Sequence, residues 1–131
     1  MNKYKIKPTE SELEILQILW TMGPSTVREV NNILKRSKDV GYTTTLKLLQ
    51  IMNEKGLVDR ETNSRTHIYT AEVNREDTQN LLLNRFLENT FSGSASKLIM
   101  QALGNHHPSS SELKEIKELI EKLENNNGDT E

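Results

Sequence analysis

The sequence predicts a mainly α fold with a small β-hairpin, a winged helix-turn-helix followed by a C-terminal helical dimerisation segment. Three observations carry that expectation. Capping signals and helical spacing mark three short helices between residues 9 and 55. The apolar period then changes to two over residues 57–70, and helical spacing returns from residue 74 with no further strand.

Thr9-Glu10-Ser11-Glu12 has the form of a capping box, in which the Thr9 hydroxyl and the Glu12 carboxylate each satisfy a free amide of a helix start. Helix 1 begins there. Leu13, Ile15, Leu16, Ile18, Leu19 and Trp20 cover a wide apolar stripe, as on a helix packed from two sides, and Gly23-Pro24 stops it. A second box, Thr26-Val27-Arg28-Glu29, opens helix 2, where Val27, Val30, Ile33 and Leu34 recur at helical spacing. The basic cluster Lys35, Arg36 and Lys38 follows, and the helix is expected to end near Ser37. Gly41-Tyr42-Thr43 starts helix 3, with Thr43 as the expected N-cap and Gly56 as the left-handed C-terminal cap.

Leu57 to Glu61 and Arg65 to Thr70 alternate across the turn residues Thr62-Asn63-Ser64, which predicts a β-hairpin. Two strands alone are marginal in water, so the Leu57, Ile68 or Tyr69 face must lie against the helices. Leu81, Leu82 and Phe86, with Leu83, Leu87 and Phe91, mark a long helix 4 interrupted at Ser92-Gly93-Ser94. Helix 5 is expected over residues 96–103. The box Ser109-Ser110-Ser111-Glu112 starts helix 6, with Leu113, Ile116, Ile120 and Leu123 on one face. The expected organisation is a winged-helix DNA-binding domain over 1–73, a helical dimerisation region over 74–124 and a disordered tail over 125–131.

Composition narrows the function. The 131 residues suffice for one compact domain and an appendage, not for two domains with separate cores. No run of five consecutive apolar residues occurs, and the basic start is followed by Glu10, Glu12 and Glu14 rather than an apolar segment, so neither membrane insertion nor secretion is expected. Cysteine is absent, which removes disulfides and thiolate sites and fits a cytoplasmic home. The net charge of −2 divides unevenly: residues 1–73 hold 11 basic and 9 acidic side chains, the remainder 6 and 10. That asymmetry is compatible with nucleic acid against the first half and protein against the second.

Helix 3 is where geometry points to a partner. At 100° per residue Thr45, Leu48, Leu49 and Met52 share one side, while Thr43, Lys47, Gln50 and Glu54 share the other. In a helix-turn-helix the N-terminal end of this helix enters the major groove, which places Thr43, Thr44, Leu46 and Lys47 at base edges. A lysine donates to guanine O6 or N7; threonine hydroxyls serve either role, and apolar groups meet the thymine methyl. Arg60 and Arg65 of the hairpin, with Ser25, Thr26 and Arg28 at the helix 2 start and Tyr42 before the groove, are the expected contacts to phosphate. Helix 2 is expected to present its free N-terminal amides there as well.

No residues support an enzyme. His106-His107 lacks a third ligand and the two side chains diverge, so no metal or other cofactor is expected, and nucleophile-elbow, phosphate-loop and HExxH patterns are absent.

Across residues 8 to about 123 the chain resembles the penicillinase-repressor (BlaI/MecI/CopY) family of bacterial winged-helix repressors. Three stretches carry the likeness: Thr-Glu-Ser-Glu-Leu-Glu-Ile-Leu-Gln-Ile-Leu-Trp at 9–20, Tyr-Thr-Thr-Thr-Leu-Lys-Leu-Leu-Gln-Ile-Met-Asn-Glu-Lys-Gly-Leu-Val at 42–58, and Ser-Arg-Thr-His-Ile-Tyr at 64–69. The resemblance implies a homodimer on palindromic, double-stranded operator DNA, joined by its C-terminal helices. It also implies a membrane sensor-protease system as a partner, which in the antibiotic-responsive branch releases the repressor by cleavage at an Asn-Phe bond. The matching pair here is Gln101-Ala102, so cleavage at this position needs a different protease specificity. The copper-responsive branch carries C-terminal cysteine pairs, which this chain lacks.

Dimerisation has its own physical warrant. Leu82, Phe86, Phe91, Leu98, Ile99, Leu103, Ile116 and Ile120 are more apolar surface than three short helices bury alone, and a second copy is the economical cover. The competing reading is a protein-interaction module that uses the winged helix as a docking surface, motivated by the net negative charge.

Overall fold

The computed structural model describes residues 7–62 and 65–128; Asn63 and Ser64 of the expected turn, the first six residues and residues 129–131 lie outside the described residues. In chain order the elements are α1 (Glu10–Met22), β1 (Ser25–Thr26), α2 (Val27–Leu34), α3 (Tyr42–Lys55), β2 (Val58–Glu61), β3 (Ile68–Ala71), α4 (Arg75–Phe91), α5 (Ala95–His106) and α6 (Ser110–Gly128). The fold is a winged helix followed by three further helices.

Both expected capping boxes are formed. Glu12 N donates to Thr9 Oγ1 at 3.2 Å and Thr9 N to Glu12 Oε1 at 2.9 Å. At α2, Glu29 N donates to Thr26 Oγ1 at 3.1 Å and Thr26 N to Glu29 Oε1 at 3.0 Å. Each cap contributes about 1 kcal/mol and fixes where its helix starts. α1 then buries Ile15, Leu16, Ile18 and Leu19 against Val27, Val30 and Leu34 of α2 and Leu49 and Met52 of α3.

The sheet differs from the expected hairpin by a third strand. β3 is central, with β2 on one side and β1 on the other, both antiparallel. β1 is the last two of the four residues between α1 and α2, pairing Ser25 with Tyr69 and Thr26 with Ile68. No period can announce a strand this short. It gives β3 a second partner, and Leu57, Val58 and Tyr69 seal the sheet to the helical core. Trp20 Nε1 donates to the Val73 carbonyl at 2.9 Å, tying the chain that leaves the wing to α1.

Four boundaries moved. α2 ends at Leu34, with Lys35 as its C-cap, rather than near Ser37. α3 is capped by the extended Gly41, so Thr43 lies within its first turn and is not the N-cap. α5 runs on to His106 through Gly104, ending where His107 takes a left-handed conformation. α6 continues to Gly128, past Asn125 where the sequence reading placed a disordered tail. The chain divides into two compact units between Arg85 and Phe86, inside α4.

In the second unit, Phe86 and Phe91 pack edge to face with ring centroids 5.6 Å apart. Ser94 caps α5 and Ser109 caps α6, accepting from Lys97 N at 3.3 Å and Glu112 N at 3.1 Å. No described residue of α5 or α6 is buried; Ile99, Leu119, Ile120 and Leu123 are each about half exposed, and Met100 more so.

Candidate nucleic-acid interface

The outward side of α3 is set by what holds its inward side. Asn31, on the buried stripe of α2, donates from Nδ2 to Thr45 Oγ1 at 2.9 Å and to the Val40 carbonyl at 3.1 Å. The Thr45 hydroxyl passes the chain on to the Gly41 carbonyl at 3.3 Å. One amide thus fixes the α2–α3 turn and the first turn of α3 together, in a site closed to water where such bonds are strong and their absence costly. At the other end of α3, Lys55 Nζ lies 2.9 Å from both carboxylate oxygens of Glu12, which is 2% exposed.

Held at both ends, α3 presents Thr43, Thr44 and Lys47 to solvent, none with a hydrogen bond or ion pair among the described residues. Its N-terminus has no side-chain cap, which leaves the first-turn amides open. Tyr42, at the head of the helix, stacks under Arg28 of α2 with the guanidinium carbon 4.6 Å from the ring centroid. Two residues taken separately from the sequence as phosphate contacts therefore form one cation–π pair. Leu46 is half-buried against the core, so the protein itself covers part of the side chain expected to await DNA.

The expected phosphate set is otherwise sorted by the fold. Ser25 does not belong in it: the side chain is buried and its hydroxyl donates to the Gly23 carbonyl at 2.9 Å, because β1 draws this segment into the sheet. Thr26 is occupied as the α2 cap, and the Glu29 carboxylate bonds back to the Thr26 amide, so the start of α2 is self-capped rather than open as expected. Arg60, opposite Tyr69 in the sheet, is half-buried and its Nε has no partner among the described residues. Arg65 is exposed beside the wing turn.

The sequence reading missed Asn31, Glu12 as a buried partner of Lys55, and the Trp20–Val73 bond. A signal existed for two of them. Asn31 occupies a packing position of the run 27, 30, 31, 34, and Glu12 the first position of the run 12, 15, 16, 19. A polar residue on an apolar stripe asks for a buried partner.

Of the expected dimer residues, Leu82 is partly buried and shares a hollow with Pro8, Thr9 and Leu13. Leu98, Leu103 and Ile116 are partly exposed, and Phe86, Ile99 and Ile120 about half exposed. Gln101 and Ala102 lie exposed on α5. Among the described residues no group of histidine and carboxylate side chains is placed to hold a metal, and no helix is long and apolar enough to cross a membrane.

The family model described as Penicillinase repressor matches residues 8–122. The chain is 21% identical over 117 residues to the penicillinase repressor of Bacillus licheniformis, covering 89% of this chain and 91% of that one. It is 19% identical over 114 residues to the methicillin resistance regulatory protein MecI of Staphylococcus aureus, covering 87% and 93%. The solution structure of monomeric Bacillus licheniformis BlaI in complex with the blaP half-operator superposes with a TM-score of 0.48 at 21% identity, covering 55% of this chain and 88% of that one.

Proposed function

Because the chain belongs to the penicillinase repressor family, we propose that it is a homodimeric transcriptional repressor that binds palindromic operator DNA through its winged helix. The winged-helix part through residue 73 meets DNA and the helices over 74–124 join two copies. The observation that carries the reading is α3 itself, held by Asn31 through Thr45 and by Glu12 through Lys55 on its inner side and bearing Thr43, Thr44 and Lys47 free on its outer side. Thr43, Thr44 and Lys47, with Leu46 at the edge, read base edges in the major groove. Arg28, Tyr42, Arg60 and Arg65 position the protein on phosphates, adding affinity without sequence preference.

The dimer is supported by the exposed apolar faces of α5 and α6, which water would otherwise meet. Two-fold symmetry sets the recognition helices about 34–36 Å apart, or a multiple of that, and calls for a palindromic site. Release follows an inducing signal, either by cleavage in the C-terminal region, where Gln101-Ala102 stands exposed on α5, or by a bound ligand.

Titration of the purified protein into a duplex from upstream of its own gene, over a salt series, tests the reading. The expected result is binding that weakens steeply with salt and exceeds that to a shuffled duplex, with a dimer in sedimentation equilibrium. A dimer that ignores both duplexes at low salt would instead mark the winged helix as a protein-docking surface.

A further inference from the structure

The fold separates the cations of the winged helix into two classes that the sequence cannot tell apart. Lys38 is paired with Glu14 and Lys55 with Glu12. Lys35 and Arg36, next to Lys38 in sequence, are exposed with no partner among the described residues. They extend a face of α2. Lys35 is the C-cap of α2, still in the right-handed helical conformation with its N donating to the Asn31 carbonyl, and Arg36 follows in the turn, its N donating to the Ile33 carbonyl. At 100° per residue Arg28, Asn32 and the C-cap Lys35 lie within about 60° of one another, and Arg28 to Lys35 spans about 10 Å, with Arg36 next in the chain. All four are exposed. The one acidic residue of α2, Glu29, is turned back onto the Thr26 amide.

We propose that this outward face of α2, ending in Lys35 and Arg36, is a backbone rail that binds phosphodiester oxygens of one DNA strand beside the groove entered by α3. The inference rests on the operator-binding reading above and adds a contact that the α3 and wing residues do not supply. Two independent features point to DNA. One end of the rail, Arg28, stacks on Tyr42 at the head of α3 and so joins it to the candidate reading surface. Its cations are also left free while their neighbour Lys38 is neutralised, in a domain whose overall basic excess is small. A protein with little net charge gains phosphate affinity from cations concentrated along one line.

The test compares K35Q/R36Q with K38Q in the full-length protein, by fluorescence anisotropy on the upstream duplex and on a shuffled duplex over a salt series. Loss of two phosphate contacts per protomer lowers the slope of log affinity against log salt by about two per protomer, at about 0.9 per contact. The expected result is that fall for K35Q/R36Q, equal on both duplexes, with K38Q close to wild type and thermal midpoints unchanged. An unchanged slope with a lowered thermal midpoint would overturn the proposal, since cations at a helix C-terminus also stabilise the helix itself. An equal loss in K38Q would reduce the effect to net charge and overturn it as well, as would a loss confined to the upstream duplex. If the wild-type protein binds neither duplex, the repressor reading fails first and the rail with it.

Discussion

The side-chain amide of Asn31 donates to the hydroxyl of Thr45 at 2.9 Å, joining α2 to the first turn of α3 inside the core. The same amide reaches the Val40 carbonyl, so a single side chain spans the turn of the helix-turn-helix. The outward presentation of Thr43, Thr44 and Lys47 follows from this inward bond, because rotating α3 would break it.

Thr45→Val keeps the shape and removes the acceptor, leaving a buried donor of Asn31 unpaired. Stability should fall by about 1–3 kcal/mol in denaturant unfolding. Asn31→Leu with Thr45→Val should recover part of that loss, because the unpaired donor is gone. A double variant no better than the single one counts against the clamp.

The Glu12–Lys55 pair has an asymmetric sensitivity. Lys55→Met strands a carboxylate that is 2% exposed, whereas Glu12→Gln leaves Lys55 able to reach water. Lys55→Met should therefore cost more than Glu12→Gln, by about 1–3 kcal/mol, in paired denaturation curves. Equal costs would show that solvent screens the pair.

Lys47→Ala and Arg65→Ala separate base reading from phosphate contact. Lys47→Ala should lose about 1–3 kcal/mol on the upstream duplex and less on a shuffled one. Arg65→Ala should weaken both alike and reduce the salt slope by about one. Competition titrations read the difference.

Ile99→Glu or Ile120→Glu places a charge on an apolar face that the dimer is proposed to cover. Sedimentation equilibrium should show a shift to monomer, with operator affinity lowered about 10²–10⁴-fold as two linked half-site contacts become one. The melting of the winged helix should not change. A dimer that persists in both variants places the interface elsewhere.

Tyr42→Leu removes the ring beneath Arg28. A double-mutant cycle with Arg28→Ala on duplex affinity should give a coupling of about 0.5–1 kcal/mol, the size of an exposed cation–π contact.

Much of this molecule is local and therefore legible in the chain. Thr9-x-x-Glu12 and Thr26-x-x-Glu29 fixed two helix starts, because a capping box closes within four residues, and Gly56 takes the left-handed conformation that ends α3. The period of two over residues 57–61 and 65–70 marked the wing strands, and the apolar stripes of α1, α2 and α3 marked the sides that became the core. Local chemistry was less decisive at α3, where Thr43 is as good a cap by type as Gly41 and packing placed the first turn two residues earlier.

Tertiary structure decided which polar groups remain for a partner. Ser25 and Arg28 look equally available in the sequence; β1 pairing buries the first, while the second stacks on Tyr42 at the surface. Lys35 and Lys38 are three residues apart and chemically alike, but only Lys38 meets Glu14 of α1, 24 positions away. Glu12 and Asn31 were readable as polar residues on apolar stripes; their partners Lys55, Val40 and Thr45 were not, since a hydrogen bond between elements depends on how helices cross, which no periodicity within one helix encodes.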